Sequence, residues 1–344
     1  VLLFSCAESP KNISIIWEGN KAKAVLIPNH LVNEVSASDI NNAVRIRKEN
    51  DTTTLLGYYH TEQGLVFEPL IPFQRGASYT VSVLQKKVAS FHIPVDNKHT
   101  APQVVAVYPQ SDTLPENTLK LYIEFSQPMR EGESLQHIKL VNHQKDTLPG
   151  TFLDLQPELW NENRTVITIW FDPGRIKRNL QPNLTMGAPL QPNSTYQLII
   201  SKNWQDAEGT RIGYDFVKSF VTGVRDSLSP NLQRWKIAVP KAASRQPLYI
   251  RLDKALDHFL LLECLQVTDQ NGTLLKGKFT VSDQDRSCYF TPQQNWRTGR
   301  YTLVILSKLE DLAGNNLNKA FDRDITNSKK PATQEFYTRN FIIE

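Results

Sequence analysis

Tyr196-Gln-Leu-Ile-Ile-Ser-Lys-Asn-Trp-Gln-Asp206-Ala-Glu-Gly209 returns later in the chain as Tyr301-Thr-Leu-Val-Ile-Leu-Ser-Lys-Leu-Glu-Asp311-Leu-Ala-Gly314-Asn315, with Tyr, Asp and Gly at the same offsets. Upstream of each copy, Phe171-Asp-Pro173 matches Phe290-Thr-Pro292, and Phe67-Glu-Pro69 with Tyr79 makes a fainter third copy. Self-similarity at this spacing predicts tandem domains built on one plan. It says what the chain is made of, not what it binds.

Working outward, short strands separated by turn residues fill the rest. Ile13-Ser-Ile-Ile-Trp17, Ala43-Val-Arg-Ile-Arg47 and Tyr79-Thr-Val-Ser-Val83 fall in the first copy, with 32–42 as a short helix or a loop. In the second, Leu119, Leu121, Ile123 and Phe125 point to one side, the core side. Ser126-Gln-Pro-Met129 follows as a turn, because Pro128 cannot donate to a central ladder. Pro247-Leu-Tyr-Ile-Arg-Leu252 replays that strand in the third copy, and Asn271-Gly272 signals a tight hairpin. Strands about ten residues apart, with no long helices between them, predict an all-β chain of three antiparallel sandwiches. The boundaries expected are 1–12 for a leader and tether, then 13–99, 100–225 and 226–344. The second domain departs from the repeat by an inserted loop, 174–191, rich in Pro, Asn and Arg.

With 344 residues there is chain enough for separate cores. Lys and Arg total 39 against 35 Asp and Glu, a net of +4 scattered in singles and short groups, which argues for solvated faces and against a nucleic-acid partner. Three cysteines are too few for a disulfide scaffold, and no Cys/His cluster suggests zinc.

At Val104…Pro109, Leu119…Phe125-Ser126-Gln-Pro-Met129 and Tyr196…Asp206-Ala-Glu-Gly209, the second unit resembles the bacterial Ig-like domain of S-layer and other envelope proteins. The third unit matches at Phe290-Thr-Pro292, Tyr301 and Asp311-Leu-Ala-Gly-Asn315 but lacks the Phe-Ser-x-Pro-Met turn. The first keeps Phe67-Glu-Pro69, Gly76 and Tyr79. Together these cover about two thirds of the chain. The resemblance implies tandem Ig-like sandwiches serving as spacers or adhesion modules, and it implies no particular partner.

Several constellations invite a chemical reading. Asp206/Gly209 and Asp311/Gly314/Asn315 suit hairpin-end turns better than cation loops, since a hard cation needs six or more oxygens. No metal or other cofactor is expected. Cys264 and Cys288 bracket a hairpin and are candidates for a disulfide, two buried free thiols being the alternative. The seven histidines are dispersed and no G-x-S-x-G occurs, so no catalytic residue is assigned. Trp160, Trp204 and Trp296 lie near turns, where a ring could stack on a sugar; core packing is the competing reading. Of Trp170 and Phe171, one should point outward. Arg175, Lys177 and Arg178 in the inserted loop are the candidate contact residues for a partner.

Val1-Leu-Leu-Phe-Ser-Cys6 resembles the end of a bacterial lipoprotein signal peptide. That resemblance implies cleavage before Cys6, acylation of its thiol, and a polar tether running to residue 12. The expectation is a non-catalytic lipoprotein of the bacterial cell envelope, anchored in the outer membrane and facing the periplasm or the surface. It would act as a spacer, adhesin or binder of another envelope protein, with surface-glycan capture as the alternative.

Overall fold

The computed structural model describes residues 12–19, 21–49, 51–95, 100–322 and 334–344. Cys6 and most of the expected leader lie outside them. The first sandwich comprises β1 (Ser14–Glu18), β2 (Lys21–Ile27), β3 (Val44–Lys48), β4 (Gly57–Thr61), β5 (Leu65–Pro69), β6 (Ser78–Val83) and β7 (Lys86–His92). Its sheets run β1-β2-β5-β4 and β3-β6-β7.

The second sandwich comprises β8 (Val104–Tyr108), β9 (Thr113–Pro115), β10 (Lys120–Phe125), β11 (Ile138–Asn142), β12 (Leu159–Trp160), β13 (Val166–Trp170), β14 (Thr195–Ile200) and β15 (Phe216–Gly223). Its sheets run β12-β13-β10-β8 and β11-β14-β15-β9. The third comprises β16 (Lys236–Ala238), β17 (Leu248–Arg251), β18 (Leu265–Asp269), β19 (Gly277–Ser282), β20 (Ser287–Pro292), β21 (Gly299–Leu306) and β22 (Phe336–Ile343). Its sheets run β16-β17-β20-β19 and β18-β21-β22.

With the short β9 set aside, all three share one order. The first, second, fifth and fourth strands form one sheet, and the third, sixth and seventh form the other. That four-plus-three pairing is the immunoglobulin arrangement. The chain is therefore all-β, with Ig-like antiparallel sandwiches. A short helix leads into the third strand each time: α1 (Ile40–Ala43) before β3, α2 (Ser134–His137) before β11, and a longer one before β18. The ambiguous stretch 32–42 thus resolves into loop and then α1. The inserted loop carries α3 (Pro173–Ile176) and α4 (Gln181–Met186), and α5 (His258–Cys264) precedes β18.

The repeated tyrosine has a single physical role. Tyr196 Oη accepts the Gln191 amide at 2.8 Å, Tyr79 Oη accepts that of Gln74 at 2.9 Å, and Tyr301 Oη bonds both the amide and the carbonyl of Arg297. Each ring is buried at the start of the sixth strand, so its hydroxyl needs a partner and finds one in the preceding corner. The repeated Asp closes the following turn. Asp206 Oδ1 accepts the amides of Glu208 and Thr210, and Asp311 Oδ1 those of Ala313 and Asn315. Gly209 and Gly314 take φ +86° and +79°, where a side chain would be strained.

Inward side chains alternate as strands demand. Val25, Ile27, Ile46, Phe67, Tyr79, Val81 and Phe91 form one core from both sheets of the first sandwich. Ile250, Phe290, Leu303, Ile305 and Trp296 belong to the corresponding core of the third. The chain divides into two compact units. One is the first sandwich joined by residues 127–130 and 203–213; the other is the remainder of the second sandwich together with the third. Within the first unit, Arg75 Nε meets Glu208 Oε2 at 2.6 Å.

Candidate functional site

The candidate site is the seam between the second and third sandwiches, whose residues all lie within one compact unit. It begins with β10. Leu121, Ile123 and Phe125 face the sandwich core, yet on the opposite face Tyr122 is also buried and only 10% of the Lys120 side chain is exposed. What covers them is the start of α5. Asp257 caps that helix, its Oδ1 accepting the Leu260 amide. Its other oxygen, Oδ2, accepts the Tyr122 hydroxyl at 2.7 Å and lies 3.0 Å from Lys120 Nζ. Glu310 Oε2 completes the cluster, 3.1 Å from the same ammonium.

Burial works against the charge on Lys120, but Asp257 and Glu310 together outweigh it and hold the ammonium above its ordinary pKa. Burial likewise raises Glu310, with Lys120 pulling the other way, and pushes the Tyr122 phenol far up. The phenol stays protonated and donates.

Further contacts extend the seam. The Tyr108 ring stacks on His258 with centroids 3.8 Å apart, and Phe259 packs against Tyr108 and Tyr122. His258 Nδ1 pairs with the buried Asp285 at 2.7 Å. Lys254 Nζ bridges Asp226 at 2.7 Å and Asp311 at 3.0 Å, while Asn117 bonds both backbone groups of Asp226. Gly314 lies so close to Leu119 that a Cβ there would stand 2.3 Å from its Cδ2. An aromatic and ionic joint of this kind fixes the geometry between the two sandwiches.

The inserted loop belongs to the same seam, which changes the roles expected of its cations. Arg175 is buried and holds the loop together, donating to the carbonyls of Gly187, Gly150, Pro149, Met186 and Ala188. Its guanidinium serves as internal scaffold of the loop. Lys177 Nζ lies 4.3 Å from the Phe321 ring centroid. Arg178 and Arg225 both pair with Asp322, at 2.9 and 2.6 Å. Through Lys177 and Arg178 the loop touches the third sandwich, while Leu184 and Met186 of α4 stay exposed.

Two of the three candidate tryptophans are corrected too. Trp204 is fully buried and Trp296 nearly so, so neither ring can reach a sugar. Trp296 Nε1 donates to the Gln246 carbonyl, and its ring meets Phe290, Tyr301 and Phe341. Trp160 is half-buried, donates to Glu158, and packs near Phe125. Of the adjacent pair, Phe171 points inward and Trp170 lies half-covered with Lys120 Nζ 5.5 Å from its ring centroid. A large ring needs more apolar cover than a turn gives, and here the cores supply it.

Cys264 and Cys288 are buried free thiols in the third core, not a disulfide. Burial pushes them up to about 11 and about 12. With Cys6 replaced by serine, the native chain should titrate no thiol with a chromogenic disulfide at pH 8, and two after unfolding in guanidinium. The Asp206 and Asp311 sites are turns, and among the described residues no group of three or more metal-ligating side chains gathers. No helix among those residues is long and apolar enough to cross a membrane.

Asp311 supplies a pH signature. Burial, opposed by Lys254 and Asn315, lifts its carboxyl from 3.8 to about 6. The folded chain therefore binds this proton more tightly than the unfolded one, so the group's contribution to stability falls as pH rises from about 4 to 6. Denaturation midpoints of Asp311→Asn should show a flatter pH profile across that window than those of the parent.

No protein-family model and no curated protein matches the chain. Solved structures do show likeness. Alpha-2-macroglobulin from Escherichia coli, spanning domains MG0-NIE-MG1, is 11% identical over 60% of this chain and 66% of its own, with TM-score 0.24. The N-terminal part of the bacterial S-layer protein SbsC is 12% identical over 60% of this chain and 40% of its own, with TM-score 0.25. The titin I-band fragment I67–I69 is 10% identical over 76% of this chain and 81% of its own, with TM-score 0.20. The chain thus spans less than two thirds of the length of the first two.

Proposed function

We propose that this chain is a non-catalytic structural module of a bacterial cell envelope, tethered to the outer membrane through acylated Cys6, in which the second and third sandwiches act as one stiff spacer. One observation carries the reading: the joint between those sandwiches is buried and knit by ion pairs, where a flexible string of domains would show a small, wet contact. Another envelope protein is the partner class such a spacer would present or hold apart. Glycan capture loses support, because Trp204 and Trp296 sit in cores.

Residual dipolar couplings on the labelled full chain test the stiffness. A single alignment tensor should fit the second and third sandwiches together; two independent tensors would sink the spacer reading. The tether is tested separately by intact mass of protein from native membranes. A chain starting at Cys6 with acyl chains supports it, and an unmodified chain retaining residues 1–5 removes it.

A further inference from the structure

In every sandwich the seventh strand lies beyond the third and sixth in its sheet, and the chain treats its outer edge differently each time. In the second sandwich the edge of β15 is filled by β9, paired in parallel from Val221↔Thr113 to Gly223↔Pro115. In the first, β7 carries Lys86 and Lys87 and pairs through a bulge, two devices that discourage further pairing. In the third, β22 runs from Phe336 to Ile343 and ends its sheet with no strand beyond it among the described residues.

The open side of β22 can be read residue by residue. The Ser307 amide bonds the Glu335 carbonyl, and the register from Leu306↔Phe336 to Gly299↔Ile343 is unbroken. Antiparallel pairs alternate, so Tyr337, Arg339, Phe341 and Ile343 exchange backbone hydrogen bonds with β21. The backbone groups of Phe336, Thr338, Asn340 and Ile342 then face the open edge. Those four side chains are also the exposed ones, and none is charged or proline.

We propose that β22 pairs antiparallel with β22 of a second copy of this chain about a two-fold axis at Arg339. In that register Phe336 opposes the partner's Ile342, and Thr338 opposes the partner's Asn340, each twice. On the outward face apolar meets apolar and polar meets polar, and those four residues all fall at hydrogen-bonding positions, while on the inward face Arg339 opposes its own copy. Two three-stranded sheets become one of six. The Arg339 guanidinium donates to the carbonyls of Leu232 and Trp235. A single strand seam buries less than the roughly 1,200–2,000 Å² of a standard interface, so the dimer is expected to dissociate at about 1–100 µM.

Sedimentation velocity of the full chain across that concentration range is the test. The chain should shift from monomer to dimer, and Thr338→Lys/Asn340→Lys, which opposes like charges twice, should weaken the dimer about a hundredfold. Thr338→Lys/Asn340→Glu should restore it, because each lysine then faces a glutamate. A monomer throughout, a dimer untouched by the two lysines, or no recovery with the opposite-charge pair would each overturn the proposal. Near-ultraviolet circular dichroism checks that the variants fold; Thr338→Glu/Asn340→Glu serves as a second like-charge variant.

Discussion

Replacing Lys120 with methionine is expected to cost about 3–5 kcal/mol of unfolding free energy. The substitution leaves Asp257 and Glu310 facing each other, Asp257 with only 3% of its side chain exposed. Asp257 cannot regain water without opening the seam, whereas Glu310 already has 23% of its side chain exposed. The neutral triple variant Lys120→Met/Asp257→Asn/Glu310→Gln should recover most of the loss, since it removes the buried charges together and asparagine can still cap α5. Guanidinium denaturation of the three proteins, followed by tryptophan fluorescence, separates these outcomes. If Lys120→Met were as stable as the parent, the cluster would be a solvated group and the joint would owe nothing to it.

Gly314→Ala comes next, with an expected loss of about 2–4 kcal/mol, combining left-handed backbone strain with overpacking. The added Cβ would lie 2.3 Å from Leu119 Cδ2, on a side chain that is itself buried and cannot swing into solvent. Gly272 supplies the control. It has the same φ, +79°, and a Cβ there meets nothing within 4 Å. Gly272→Ala should therefore lose only about 1 kcal/mol, the conformational share. The difference between the two midpoints measures how tightly the second and third sandwiches meet; equal losses would mean that Leu119 yields freely.

Much of the fold was legible because the repeat encodes local structure. Tyr196 and Tyr301 recur as corner hydroxyls, and Asp206 and Asp311 recur as turn acceptors, all bonding backbone within five residues. Contacts that short leave a fixed spacing in sequence. The seam left none. Lys120 meets Glu310 across 190 residues and Tyr122 meets Asp257 across 135, so nothing local marks them as partners. The one available signal was Tyr122 itself, an aromatic on what alternation assigned to the outer face of β10. Trp204 and Trp296 misled for the opposite reason: proximity to a turn says nothing about which way a ring points. Arg175 misled because a cation in a polar loop resembles a ligand contact, whereas five backbone carbonyls converge on it here.

Pulsed electron–electron spin resonance tests the stiff joint most directly. Spin labels go on the exposed strand positions Lys139→Cys and Lys278→Cys, in a Cys6→Ser chain whose Cys264 and Cys288 are buried. Diluted with unlabelled chain, the pair should give one narrow distance distribution, broadened by Lys120→Met. A broad or bimodal distribution in the parent would contradict the claim that the second and third sandwiches move as one body.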